Sequence, residues 1–130
     1  MSRSIIFALI FAPGLLALPA GAAAATPQSL FNDNCSACHQ TSGKGVKGAF
    51  PALAGDPFVQ GDPGPLMATV LAGRAGMPAF KDDLNDADLA ALLTYVRTAW
   101  GNKGKPLTPA DIAAARAKLK AGKKPGLQAH

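Results

Sequence analysis

The chain has 130 residues and a formal net charge of +5, with 13 Lys+Arg against 8 acids, every one of them Asp. That length sets one domain as the ceiling. The apolar residues crowd toward the N-terminus and many of the rest are Ala, which leaves a thin core of the kind that a disulfide, metal or cofactor completes. The sequence has no long alternating Val/Ile/Thr runs, no Gly-rich phosphate loop and too little length for a two-domain enzyme.

In chain order, Arg3, the apolar stretch from Ile5 to Leu18 and the small residues Ala22 to Ala25 form a secretory signal peptide over residues 1–25. Pro13, Gly14, Pro19 and Gly21 interrupt that stretch, and it falls short of the ~20 apolar residues of a spanning helix, which argues against an uncleaved anchor. The expectation is export to the periplasm, with no stable membrane span once the signal is removed. Residues 26–107 then form one domain and 108–130 a basic C-terminal helix and tail, the latter with five bases and only Asp111 opposing them. Nucleic acid is not an expected partner, because the body is neutral and its few aromatics give no stacking platform.

Leu30 and Phe31 lie in a short first helix whose expected contact is the stripe around Tyr95 and Val96. Next comes Cys35-Ser36-Ala37-Cys38-His39, the Cys-x-x-Cys-His attachment signature of c-type haem. On a helical turn the three functional residues stand at i, i+3 and i+4, so both sulfurs and the imidazole share a face. A simple disulfide, a thioredoxin-like pair and a zinc site are the competing readings. The second lacks a βαβ unit around the motif, and the third lacks ligands, since His130 is the sole other histidine.

A haem iron held by His39 needs a second axial ligand, and Met is the expected one. Met67 reads as core at helical spacing with Val70 and Leu71. Met77, in Gly73-Arg74-Ala75-Gly76-Met77-Pro78, sits in a loop whose backbone direction Pro78 presets, which suits a ligand. Around it the sequence predicts a turn-rich connection over 55–65 and a short helix over 65–72. A longer helix follows, capped by Asn85 with Asp86 and Asp88 in its first turn, its stripe running through Leu89, Leu92, Leu93, Val96 and Trp100 to a stop at Gly101. A last helix starts at Thr108 and Pro109 and continues from Ile112 to Ala121, with a narrow face of Ile112, Ala115 and Leu119 and with Arg116, Lys118 and Lys120 around the rest. It either packs on the domain or docks an acidic partner.

With Gly43-Lys44-Gly45, Phe50-Pro51-Ala52-Leu53-Ala54-Gly55, Gly76-Met77-Pro78-Ala79-Phe80 and Leu89 to Trp100 following the haem motif in order, residues 28–103 resemble small single-haem class I cytochromes c. The similarity is closest to exported bacterial cytochromes, and fused cytochrome domains, that serve quinoprotein-type dehydrogenases. It implies an all-α fold of several short helices around one covalently bound haem c, with the terminal helix as an addition. It also implies thioether bonds from Cys35 and Cys38, axial ligation of iron by His39 and Met77, and a Pro51 carbonyl facing Nδ1 of His39.

The function this implies is one-electron carriage between redox proteins, with no catalysis by the chain itself. A quinoprotein-type dehydrogenase is the expected donor, and an oxidase or another cytochrome the expected acceptor. The alternatives are a haem subunit bound permanently to a periplasmic dehydrogenase and a ligand-binding haem sensor.

Overall fold

A capping side chain followed by proline opens four of the six helices among the described residues. This computed structural model describes residues 24–122. The predicted signal segment up to residue 23 and the tail from Lys123 to His130 lie outside the described residues. The helices are α1 (Pro27–Asn34), α2 (Ser36–His39), α3 (Pro57–Gln60), α4 (Pro63–Ala72), α5 (Asp86–Thr98) and α6 (Pro109–Gly122). Thr26 accepts from the Ser29 amide at 3.1 Å, Asp56 from Phe58 at 2.7 Å, Asp62 from Gly64 at 3.0 Å and Thr108 from Asp111 at 3.3 Å. In each case the next residue is Pro, which has no N–H to leave unpaired and whose φ already suits the helix.

Two sequence expectations change here. The connection over 55–65 contains a one-turn helix, α3, and α4 starts at Pro63 rather than at 65. The cause in both places is an Asp-Pro pair whose carboxylate caps the turn.

Asn85 caps α5 by accepting from the Asp88 amide at 2.9 Å, and Leu89, Leu92, Leu93 and Val96 are all buried along one face. The stripe does not extend to Trp100. The helix ends at Thr98 because its last carbonyls find partners outside it: Val96 accepts from the Asn102 side chain at 2.9 Å, and Arg97 from the Gly104 amide at 2.8 Å. Trp100 takes φ +55 and turns back, stacking its edges against Phe31 and Tyr95 with ring centroids 5.1 and 5.5 Å away. Phe31, fully buried, is itself 5.7 Å from Tyr95, so α1 and α5 meet as the sequence suggested.

Arg97 is the largest fully buried side chain, a placement that its reading as one more base did not anticipate. Its Nε donates to the Lys105 carbonyl at 2.8 Å, Nη1 to Val59 at 2.7 Å and Nη2 to Gly61 at 3.1 Å, so one guanidinium joins α3, the turn after it and the segment that leads into α6. The terminal helix packs on α4 and α5, sealing Ile112 and Ala115 inside. Arg116, expected on its solvent side, is instead drawn down onto the segment before α5, where it meets Asp86 and two backbone carbonyls.

Candidate functional site

Cys35 sits at the break between α1 and α2, with its carbonyl accepting from the His39 amide at 3.0 Å. Both cysteines are half-buried free thiols, not a disulfide. Burial first, and Cys38 beside it second, pushes the Cys35 thiol up to about 11. The single turn of α2 brings His39 to the same side as both sulfurs.

The imidazole is oriented from outside its helix. Nδ1 of His39 lies 2.9 Å from the Pro51 carbonyl oxygen. A carbonyl can only accept, so Nδ1 carries the proton and Nε2 keeps its lone pair for a metal. Pro51 is held there by its surroundings. A Cβ on Gly45, at φ +61, would stand 2.5 Å from the Pro51 oxygen, so only glycine lets the chain pass this close. Gly43 accepts from the Leu53 and Ala54 amides at 2.7 and 2.9 Å. On the far side, buried Asn102 accepts from the Gly55 amide at 2.7 Å and donates to the Leu53 carbonyl at 3.0 Å. Asn102 and Gly45 were missed as supports, although both stand in motifs that the sequence presents: an Asn after a helix-stopping Gly, and a Gly two residues after another.

Met77 reaches the site by a tight turn after α4. Gly73 takes φ +76, and the Arg74 and Met77 backbones bond each other both ways, at 3.2 and 2.9 Å. The Phe80 amide then returns to the Val70 carbonyl at 3.0 Å. Met67 is buried in the core.

Cys35, Cys38, His39, Pro51 and Met77 all line one cleft of about 810 Å³, walled by apolar side chains such as Leu66, Val70, Leu92 and Val96. Protein interiors hold few voids larger than a water molecule, and this cleft has room for a bound group. Its volume, its apolar walls, two thiols, an imidazole with a free Nε2 and a thioether are the donor set and the surroundings that a covalently tethered iron porphyrin requires. Arg74, exposed on its rim, also lines it. Among the described residues there is no group of three or more His, Cys or Asp that could hold a bare metal ion, and no helix long and apolar enough to cross a membrane.

The profile of the family described as cytochrome c oxidase, cbb3-type, subunit III matches residues 22–96. The chain is 36% identical over 81 residues to the cytochrome c subunit of alcohol dehydrogenase (quinone) of Gluconobacter oxydans (strain 621H), covering 53% of this chain and 17% of that one. It is 34% identical over 105 residues to the gluconate 2-dehydrogenase cytochrome c subunit of Pantoea cypripedii, covering 70% and 24%. Cytochrome c-552 of Thermus thermophilus is 35% identical over 104 residues, covering 65% of this chain and 79% of the relative. The chain thus spans less than a quarter of the two dehydrogenase subunits and most of the small cytochrome. The match over more than half its length, together with this cleft, makes the chain a member of the cytochrome c oxidase, cbb3-type, subunit III family: an all-α c-type cytochrome domain that carries covalently attached haem c and transfers electrons.

Proposed function

We propose that the chain relays single electrons between redox proteins in the periplasm, through a haem tethered by Cys35 and Cys38 and ligated by His39 and Met77. The observation that carries this reading is that these four side chains, from segments far apart in sequence, line one apolar cleft. Bound there, haem c supplies a one-electron iron couple. The Pro51 carbonyl holds the His39 proton on Nδ1, which strengthens Nε2 as a donor. A soft thioether from Met77 and the apolar walls would favour the less charged, reduced form of the iron. Held by His39 and Met77, the iron would offer small ligands no open site, and the same two residues would serve both oxidation states.

Exposed Val46, with exposed Lys44 and Lys47 near it in sequence, gives the protein a surface suited to small, transient contacts. The naming of relatives as cytochrome subunits of dehydrogenases and of a cbb3-type oxidase supports redox-protein partners, and the proposal takes a quinoprotein-type dehydrogenase as donor and an oxidase or another cytochrome as acceptor. Export with residues 1–25 removed, 26–107 as the cytochrome unit and 108–130 as its extension complete the proposal. The test is a visible and near-infrared spectrum of the protein made in a maturation-competent host. Oxidised wild type shows the sulfur-to-iron(III) band, and the reduced protein shows c-type haem and takes up no carbon monoxide promptly at neutral pH, whereas Met77→Ala loses the band when oxidised and binds carbon monoxide when reduced. Prompt stoichiometric binding by wild type would overturn the ligand assignment and favour a sensor.

A second reading, a haem subunit held permanently by a dehydrogenase, is favoured by the naming of two relatives as subunits of such enzymes. Co-purification with a large partner distinguishes it from a diffusing carrier.

A further inference from the structure

The stretch between Met77 and α5 is short and continues directly from the turn that presents the thioether. On one side it is tied to α4 through the Phe80 amide and the Val70 carbonyl. On the other its fastening comes from α6. The Arg116 guanidinium donates to the Lys81 carbonyl through Nη1 and to the Leu84 carbonyl at 2.6 Å through Nη2, while Nε meets Asp86 Oδ1 at 2.6 Å. Its side chain is four-fifths covered. Phe80, next to the held Lys81 carbonyl, and Leu84, which carries the other, both line the cleft with Met77. Ile112 and Ala115, on the same face of α6, anchor the helix in the core, so the arginine works from a fixed base.

We propose that Arg116 is a positioning residue for the sulfur ligand. By gripping three successive points on the 81–86 segment it limits how far the Met77 loop can swing from the cleft, and so makes the thioether hard to displace. The terminal helix is thereby part of the ligand's support and not only a cover. This rests on the reading of Met77 as an axial ligand. Two carbonyl contacts and one carboxylate contact, all charge-assisted, set the strength of the grip. A lysine, with one compact ammonium and no planar fork, reproduces it only in part.

The experiment uses the ferric holoprotein and cyanide, which binds iron as the thioether leaves unchanged and no electron moves. Wild type, Arg116→Gln, Arg116→Lys and Asp86→Asn are titrated, and the sulfur-to-iron(III) band and chemical unfolding are followed in each. Arg116→Gln is expected to bind cyanide roughly tenfold more tightly, the population change that follows from losing one or two hydrogen bonds to a charged group. Arg116→Lys falls between it and wild type, and Asp86→Asn, which keeps both carbonyl contacts, shifts less. A purely structural role would lower the unfolding midpoint without moving cyanide affinity, and that result overturns the inference. Should Arg116→Gln fail to fold, Arg116→Lys decides: wild-type cyanide affinity in it overturns the inference. A wild type without the sulfur band overturns the Met77 reading itself, a different signature from the first failure.

Discussion

The indole of Trp100 lies directly on Gly43: a Cβ placed on that glycine would stand 2.6 Å from two ring carbons. The ring cannot step aside, because Nε1 donates to the Thr41 carbonyl at 3.1 Å and its edges meet Phe31 and Tyr95. Gly43→Ala therefore combines left-handed backbone strain, at φ +67, with overpacking. The expected loss of stability is about 2–4 kcal/mol, read from guanidinium unfolding of the holoprotein. Gly48→Ala, at φ +83 with open space around it, has only the strain and should cost about 1–2 kcal/mol. Equal losses at the two sites would contradict the packing.

Arg97 is bonded to three backbone carbonyls and forms no ion pair among the described residues. Arg97→Leu strips all three of their donor at roughly 1–3 kcal/mol each, partly offset by removing a desolvated cation. A net loss of about 3 kcal/mol is expected, with the denaturant slope unchanged. Arg97→Lys should recover only part of it. A variant as stable as wild type would mean that those carbonyls find other partners.

Asn102 ties the Leu53–Gly55 turn to α5 through three hydrogen bonds, at 2.7, 3.0 and 2.9 Å. Asn102→Ala should raise the hydrogen-exchange rate of the Gly55 amide roughly tenfold, in line with one lost bond of ordinary strength. Amides in α4, away from these contacts, serve as the reference and should stay slow.

Asp111 closes a reciprocal cap with Thr108: its carboxylate accepts from the Thr108 amide at 2.8 Å and from the hydroxyl at 2.7 Å. The backbone bond first and the hydroxyl second hold its pKa below the ordinary aspartate value. A carboxylate depressed on folding stabilises fully above its unfolded pKa of about 3.9 and loses that contribution as pH falls through the lower folded value. The Thr108 amide should thus exchange faster in acid than the intrinsic rate explains. In Asp111→Asn that extra acid dependence should vanish.

Much of this was legible because the chemistry needs fixed spacings. Cys35, Cys38 and His39 are set by one helical turn, and Pro78 marked Met77 as a loop residue with a set direction. The stripe of α5 read clearly as far as Val96 because burial on one side imposes its period. What the sequence hid was either polar or punctuated by proline. Asp56-Pro57 and Asp62-Pro63 look like turns, yet the same pairing of cap and proline that announced α6 starts a helix at each. Arg116 looked like surface charge, and nothing marked Arg97 for burial, because burial of a guanidinium depends on carbonyls that only the folded chain gathers. Trp100 fell at the right helical phase, but the cap supplied by Asn102 and Gly104 ends the helix before it.

The three carbonyls around Arg97 belong to Val59, Gly61 and Lys105, so the stretches that carry them are locked in register by a single side chain. Inserting one residue between 59 and 61, or between 98 and 105, would slide a carbonyl off the fork. The turn at Gly48 has no such side-chain fork and is closed by its own backbone, the Val46 and Phe50 amides and carbonyls bonding each other at 2.9 and 2.8 Å, so an insertion there would be felt first by that turn and by Pro51 just beyond it.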